Sequence, residues 1–166
     1  MTAGGRVIPG NIHLVGFDVD GVFTDGRFYL SDDGIELKAF STQDGFGIRQ
    51  LLAAGIEVAV ISGRKSAAVE KRMAELQVRF VEQGCRDKVA AFERIMQQLG
   101  VATEQTAYVG DDVPDLPLLR RAGFAFAVAN AAPEVQAECD RVTERPGGGG
   151  AVREICELLL AARQRS

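Results

Sequence analysis

Short, continuous apolar runs alternate along the chain with stretches whose apolar residues recur every third or fourth position. Ile12-His13-Leu14-Val15-Gly16-Phe17, Val58-Ala59-Val60-Ile61, Thr106-Ala107-Tyr108-Val109 and Phe124-Ala125-Phe126-Ala127-Val128 read as strands buried on both faces, with a shorter one at Arg79 to Val81. Between them, Ile48, Leu51 and Leu52, then Val69, Met73 and Leu76, then Val89, Phe92, Ile95, Met96 and Leu99 mark amphipathic helices. Val152, Ile155, Cys156, Leu159 and Leu160 form the apolar stripe of a last helix, residues 151–163. Gly55, Gly100 and Gly123 stand where a helix must stop and the chain turn into the next strand. The alternation predicts an α/β fold: a doubly wound, mostly parallel, Rossmann-like sheet with helices on both faces.

One segment breaks the pattern. Arg27 to Phe40 carries two period-two stretches around Ser31-Asp32-Asp33-Gly34. It predicts a β-hairpin inserted at about residues 22–40, with Phe28 and Leu30 facing Ile35 and Leu37. A length of 166 residues suits one domain, 1–166, and no internal repeat divides it.

Composition then excludes several classes of function. A net charge of −4 argues against broad electrostatic binding to nucleic acid or to an anionic membrane surface. No run nears the ~20 apolar residues of a membrane span, and Met1 to Gly10 lacks the apolar core of a secretory leader. Cys85, Cys139 and Cys156 lack C-x-x-C spacing and read as reduced thiols of a cytoplasmic protein. The single histidine, His13, lies inside a strand run, which argues against a Ser-His-Asp or Cys-His centre. Gly147 to Gly150 make a glycine-rich tail loop at 146–150, readable as a flexible spacer or as backbone laid close to a neighbour's site.

The candidate chemistry collects at strand ends, where ligands of open α/β sheets bind. The first strand ends in Asp18-Val19-Asp20-Gly21-Val22 and the second in Ser62-Gly63-Arg64. The third runs to Gly84-Cys85-Arg86-Asp87-Lys88, with Lys88 opening a helix, and the fourth into Gly110-Asp111-Asp112-Val113-Pro114-Asp115. In a parallel sheet these ends share one edge, where Asp18, Asp20, Asp111, Asp112 and Asp115 face only Lys88 and Arg64. Carboxylates so crowded must take up protons or share a cation. Oxygen ligands favour a hard ion, and Mg2+ held by carboxylates, waters and a substrate phosphate suits them. Ser62 and Lys88 then complete a phosphate cradle.

Asp18-x-Asp20-Gly21-Val22, Ser62, Lys88 and Gly110-Asp111-Asp112-x-x-Asp115, in that order, resemble the four motifs of the haloacid dehalogenase superfamily of phosphatases. The resemblance implies that Asp18 is the nucleophile forming an aspartyl phosphate, and that Asp20 is general acid and then general base. It implies Mg2+ held by Asp18, the Asp20 backbone carbonyl and Asp111, with Asp112 and Asp115 holding metal waters or orienting Lys88. Ser62 and Lys88 would bind the transferring phosphoryl oxygens.

Many members of that superfamily carry a cap domain. Here the hairpin, one helix and one strand consume the segment from Asp20 to Ser62, and one helix and one strand consume that from Ser62 to Lys88, leaving no room for a cap. The short pattern is similar to the 3-deoxy-D-manno-octulosonate 8-phosphate (KDO 8-phosphate) phosphatase family over nearly the whole chain. The matches are Phe17 to Gly26, Glu36-Leu37-Lys38-Ala39-Phe40, Asp44-Gly45-Phe46-Gly47-Ile48-Arg49, Ser62-Gly63-Arg64-Lys65, Tyr108 to Asp112 and Gly150-Ala151-Val152-Arg153-Glu154. That resemblance implies a homotetramer with hairpins at its centre and a neighbouring subunit helping to close the site, in lipopolysaccharide precursor synthesis. It implies a sugar site lined by the loop Ser41-Thr42-Gln43-Asp44-Gly45 and by Arg49, with Arg64 and Arg72 facing the substrate's carboxylate or phosphate.

Gln43 and Gly149 stand where that family often has basic residues, so a related nine-carbon keto-sugar acid phosphate, or another small sugar phosphate, is the alternative substrate. From another class, a receiver-type phosphoacceptor domain also combines an acidic Mg2+ site with a Ser or Thr and a Lys. It usually carries its adjacent acid pair on the first strand, whereas here the D-x-D comes first and Asp111-Asp112 comes late.

Overall fold

A computed structural model describes residues 5–166; the first four residues of the expected 1–166 domain, and part of the Met1 to Gly10 reading, lie outside the described residues. The chain runs β1 (Leu14–Phe17), β2 (Tyr29–Leu30), β3 (Glu36–Leu37), α1 (Thr42–Ala53), β4 (Glu57–Ile61), α2 (Ala67–Glu75), β5 (Phe80–Glu82) and α3 (Lys88–Leu99). It continues β6 (Thr106–Gly110), α4 (Leu116–Arg121), β7 (Phe124–Ala127), α5 (Pro133–Glu138), β8 (Arg141–Val142) and α6 (Ala151–Gln164). Six strands form one sheet in the order β5-β4-β1-β6-β7-β8, every pair parallel. The α/β expectation holds, and the short edge strand β8 is an addition to it.

β1 occupies the middle of the sheet because it is buried throughout: Leu14, Val15 and Phe17 are fully covered. Gly16 has no substitute there, since a Cβ would sit 2.7 Å from the Tyr108 ring and 2.8 Å from that of Phe92. The apolar stripe of α6 (Val152, Ile155, Cys156, Leu159) is buried against α1, each large side chain contributing roughly 1.5–3 kcal/mol. Gly47 allows the close approach, as a Cβ would lie 3.0 Å from Cys156 Cβ.

The inserted hairpin differs from expectation in extent and register. Its strands are two residues each, and Tyr29 pairs with Leu37 and Leu30 with Glu36. Ser31 N–H donates to Ile35 O, so the loop is Asp32-Asp33-Gly34, with Gly34 at φ +79. A three-residue loop with a left-handed glycine replaces the expected four-residue turn and slips the pairing by one. A one-residue slip changes which side chains share a face. Phe28, Glu36 and Lys38 fall together on one face, while Tyr29, Ile35 and Leu37, all 60% exposed or more, fall on the other.

Candidate active site

The turn after β1 is wound tightly. Val22, Phe23 and Thr24 N–H groups all donate to Val19 O, and Thr24 Oγ1 accepts from Gly21 N and Gly26 N. Gly21 sits at φ +87, and a Cβ there would collide with the Asp111 carboxylate. The turn therefore needs glycine twice over, once for its backbone and once to let Asp111 lie across it.

Four strand ends converge as expected. Asp18, 8% exposed, continues β1 by donating its N–H to Val109 O at 3.0 Å. Ser62 is held between Glu82 O and Cys85 N, at 2.8 and 2.9 Å. Asp87 caps α3 by accepting from Ala90 N, which aims Lys88 at the acids. Lys88 Nζ donates to Asp18 Oδ1 at 2.9 Å and to Asp115 Oδ1 at 2.8 Å. A cleft of about 340 Å³ collects Asp18, Asp20, Ser62, Arg64, Lys88, Asp111, Asp112 and Asp115. A larger hollow, about 470 Å³, lies around Met96, Gly100 and Val101 near the end of α3, away from these residues.

Asp115 is saturated. Its Oδ1 accepts from Tyr108 OH and Lys88, and its Oδ2 from the N–H groups of Asp111 and Asp112. Asp18, Asp111 and Asp115 bring oxygens within 4.8 Å of one another. Since Asp115 has no oxygen to spare, it orients Lys88, and Asp18 with Asp111 are the carboxylates left for an ion. Asp112 is exposed and caps the short turn Val113–Asp115 through Val113 N at 2.8 Å.

Electrostatics agree with a hard cation here. Burial first, then Asp115, pushes the Asp18 carboxyl up to about 6 against the opposing pull of Lys88. Burial, then Asp18 and Asp115, pushes Asp111 up to about 8. Burial opposes the charge on Lys88, but Asp18 and Asp115 outweigh it and hold the ammonium above its usual range. Two acids lifted so far are under-compensated, and an oxygen-ligated divalent ion such as Mg2+ fits them.

The other expected residues divide. Arg64 reaches the cleft, but its Nη2 donates to Glu36 at 2.6 Å and its guanidinium lies 4.2 Å over the Phe28 ring. Ser41-Thr42-Gln43-Asp44-Gly45 is no loop: Ser41 caps α1 and accepts from Asp44 N, the usual outcome of Ser-x-x-acid before an apolar stripe. Asp44 is 1% exposed and gives Oδ1 to Arg153 N, at the start of α6. There it substitutes for a side-chain cap that Gly150 cannot provide. Gly45 is buried under the Arg72 guanidinium; Thr42, Gln43 and Arg49 are exposed. Within one chain, none of Ser41 to Gly45, Arg49 or Arg72 lines the cleft.

The tail loop is held in place, which sets aside its reading as a flexible spacer. Gly147 N donates to Asn130 Oδ1 and Gly148 N to Val22 O, so the loop is seated on the turn after β1 of its own chain. Gly148, at φ +73, lies where a Cβ would come 2.6 Å from Asp25 N.

Sequence reasoning left Tyr108 and Lys38 without roles. Tyr108 reads as one apolar strand residue, and only the fold turns its hydroxyl onto Asp115. Lys38 is bonded to Asp20 Oδ1 and lies 3.3 Å from Glu36. The charged pair Glu36 and Lys38, two apart in a strand, was its available signal.

A sheet of this order, with a D-x-D turn, a serine, a lysine and a late acid group at one edge, defines a phosphoryl-transfer hydrolase of the haloacid dehalogenase kind. The haloacid dehalogenase-like hydrolase family matches residues 78–155. The chain is 48% identical over 153 residues to the Escherichia coli 3-deoxy-D-manno-octulosonate 8-phosphate phosphatase KdsC, covering 92% of this chain and 81% of that one. The Yersinia pestis phosphatase of the same name superposes with a TM-score of 0.92 at 42% identity, covering 94% of this chain and 84% of that one. The Moraxella catarrhalis enzyme, crystallised with magnesium ion, phosphate ion and KDO, gives a TM-score of 0.91 at 42% identity, covering 94% and 90%. The chain belongs to the 3-deoxy-D-manno-octulosonate 8-phosphate phosphatase family.

Proposed function

We propose that this chain hydrolyses KDO 8-phosphate to KDO and phosphate with Mg2+. The observation that carries the substrate is the likeness to the Moraxella catarrhalis phosphatase solved with magnesium, phosphate and KDO. Asp18 attacks phosphorus in line while Asp20 gives its proton to the departing sugar oxygen, so the P–O bond breaks as the aspartyl phosphate forms. Asp20 then takes a proton from water as that water attacks the phosphorus and frees Asp18. Lys88 and Ser62 hold the equatorial phosphoryl oxygens, whose charge is where stabilisation of this reaction counts. Mg2+, held by Asp18, Asp111 and the Asp20 carbonyl, would supply positive charge that offsets both the carboxylates and the phosphate.

In this reading residues 1–166 act as one catalytic domain, and neighbouring copies do the work of a cap. Tyr29, Ile35 and Leu37 form an exposed apolar hairpin face suited to burial at the centre of a homotetramer. Ser41, Thr42, Gln43, Arg49 and Arg72 then serve as the rim offered to a neighbour's cleft, with Asp44 and Gly45 as its buried footing. The same reading has the protein work in the cytoplasm, in lipopolysaccharide precursor synthesis. Among the described residues no helix is long and apolar enough to cross a membrane.

The test is phosphate release with Mg2+ from KDO 8-phosphate, a nine-carbon keto-sugar acid phosphate and simple sugar phosphates. KDO 8-phosphate is expected to give the highest kcat/KM. Preference for the nine-carbon compound, or no preference, overturns the assignment.

A further inference from the structure

The hairpin does more than expose an apolar face. On its other face, Lys38 has a side chain with 0% exposure although its backbone lies at the surface. Its ammonium is bonded to Asp20 Oδ1 and lies 3.3 Å from Glu36 Oε1, with the Phe28 ring centroid 5.8 Å away. Glu36 is tied in turn to Arg64, whose Nε stands 3.9 Å from Asp20 Oδ2. Asp20 is therefore approached by Lys38 at one oxygen and by Arg64 at the other, and Glu36 braces both cations.

A long flexible side chain that is completely covered has given up its rotamer freedom, and its charge must be matched to stay buried. Glu36 alone would match it. Instead Lys38 reaches out of the hairpin to the acid that follows the nucleophile. The hairpin's register makes this possible: with Ser31 closing on Ile35, Glu36 and Lys38 turn to the cleft side with Phe28. The slip that set aside the expected pairing is what delivers the ammonium.

We propose that Lys38 is a positioning residue that fixes the carboxyl of Asp20 for proton transfer to the leaving group, making the hairpin part of the catalytic machinery. The inference rests on the reading of Asp20 as general acid. A neighbour packed against the exposed hairpin face would then act on the chemistry through the opposite face.

The test compares leaving groups. A sugar alkoxide needs a proton as it departs, whereas p-nitrophenolate leaves without one. The ratio kcat/KM covers only the steps up to departure of the alcohol, so the later hydrolysis of the aspartyl phosphate does not enter. Lys38→Met is expected to lower kcat/KM on KDO 8-phosphate roughly 10–100-fold, the scale of a misplaced catalytic group, with less than about 3-fold change on p-nitrophenyl phosphate. Lys38→Arg is expected to restore most of the loss. An equal loss on both substrates, or none on either, overturns the proposal. Asp20→Asn, run alongside, separates the two readings. If it shows no leaving-group dependence, the assignment of Asp20 as acid fails. If it shows that dependence and Lys38→Met does not, only the role of Lys38 fails. Should Lys38→Met not fold, Lys38→Gln carries the same comparison with a neutral donor.

Discussion

Asp115 Oδ1 holds Lys88 Nζ at 2.8 Å, and the same ammonium stands 2.9 Å from Asp18 Oδ1. The lysine is thus held against Asp18 by a second acid. Tyr108 OH and two backbone N–H groups occupy the rest of Asp115, which is 1% exposed. Removing it takes from a largely buried ammonium one of its two carboxylate partners, and from a hydroxyl and two amides their acceptor.

Asp115→Ala is therefore expected to cost about 3–5 kcal/mol, the range for breaking a buried ion pair. Activity should fall with it. Chemical denaturation checks the first effect and phosphate release the second. A variant as stable as the parent would mean that Asp115 does not anchor this network.

Asp18→Asn keeps the shape of the side chain proposed as nucleophile and removes its charge. Turnover is expected to drop at least about 1,000-fold. Stability without metal should not fall, because burial already disfavours the Asp18 carboxylate. Thermal melting and phosphate release on the same preparation check both halves. Retained turnover would remove Asp18 from the role of nucleophile.

The raised acids link metal, protons and stability. Asp18 moves from 3.8 to about 6 and Asp111 from 3.8 to about 8. The folded chain without metal thus binds more protons than the unfolded chain between about pH 4 and 8, and its stability falls as pH rises through that window. Mg2+ must displace those protons, so it should raise the melting temperature more at pH 8 than at pH 5. Melting curves with and without Mg2+ at the two pH values measure this. A larger shift at pH 5 would contradict it.

Gly21→Ala places a methyl group where Asp111 lies and forces a residue with a Cβ to φ +87. The backbone strain alone is about 1–2 kcal/mol. Turnover should fall further than stability, because the collision displaces Asp111. Half-saturation by Mg2+ should move to higher concentration, and an unchanged value would mean that Asp111 had not been displaced.

Asp44→Ala is expected to destabilise the chain by about 1 kcal/mol, the usual worth of a helix cap. KM for the sugar phosphate should be unchanged, because the Asp44 carboxylate caps α6. Urea titration and steady-state kinetics separate the two effects, and a raised KM at normal stability would return Asp44 to the substrate site.

The α/β class, the helix-stopping glycines, the hairpin's existence and the acids at the strand ends were legible in the sequence. Each depends on local pattern: apolar runs give buried strands, 3.6-residue periodicity gives helices, and acids ending an apolar strand need a chemical reason. The hairpin's pairing was not legible, because Ser31-Asp32-Asp33-Gly34 admits two closures one residue apart. Nor were the contacts of Asp44 and Gly148, since their partners Arg153 and Val22 lie far away in the chain.

Tertiary structure alone decided what the charges do to one another. Five carboxylates and two cations at one sheet edge could be named from the chain, but their division of labour is set by distances between segments far apart in sequence. Asp115 is an orienting group because four donors reach it, and Lys38 meets Asp20 because a three-residue loop sets the pairing. Local pattern determines which elements form; which oxygen faces which nitrogen is a property of their packing, and the chemistry depends on that.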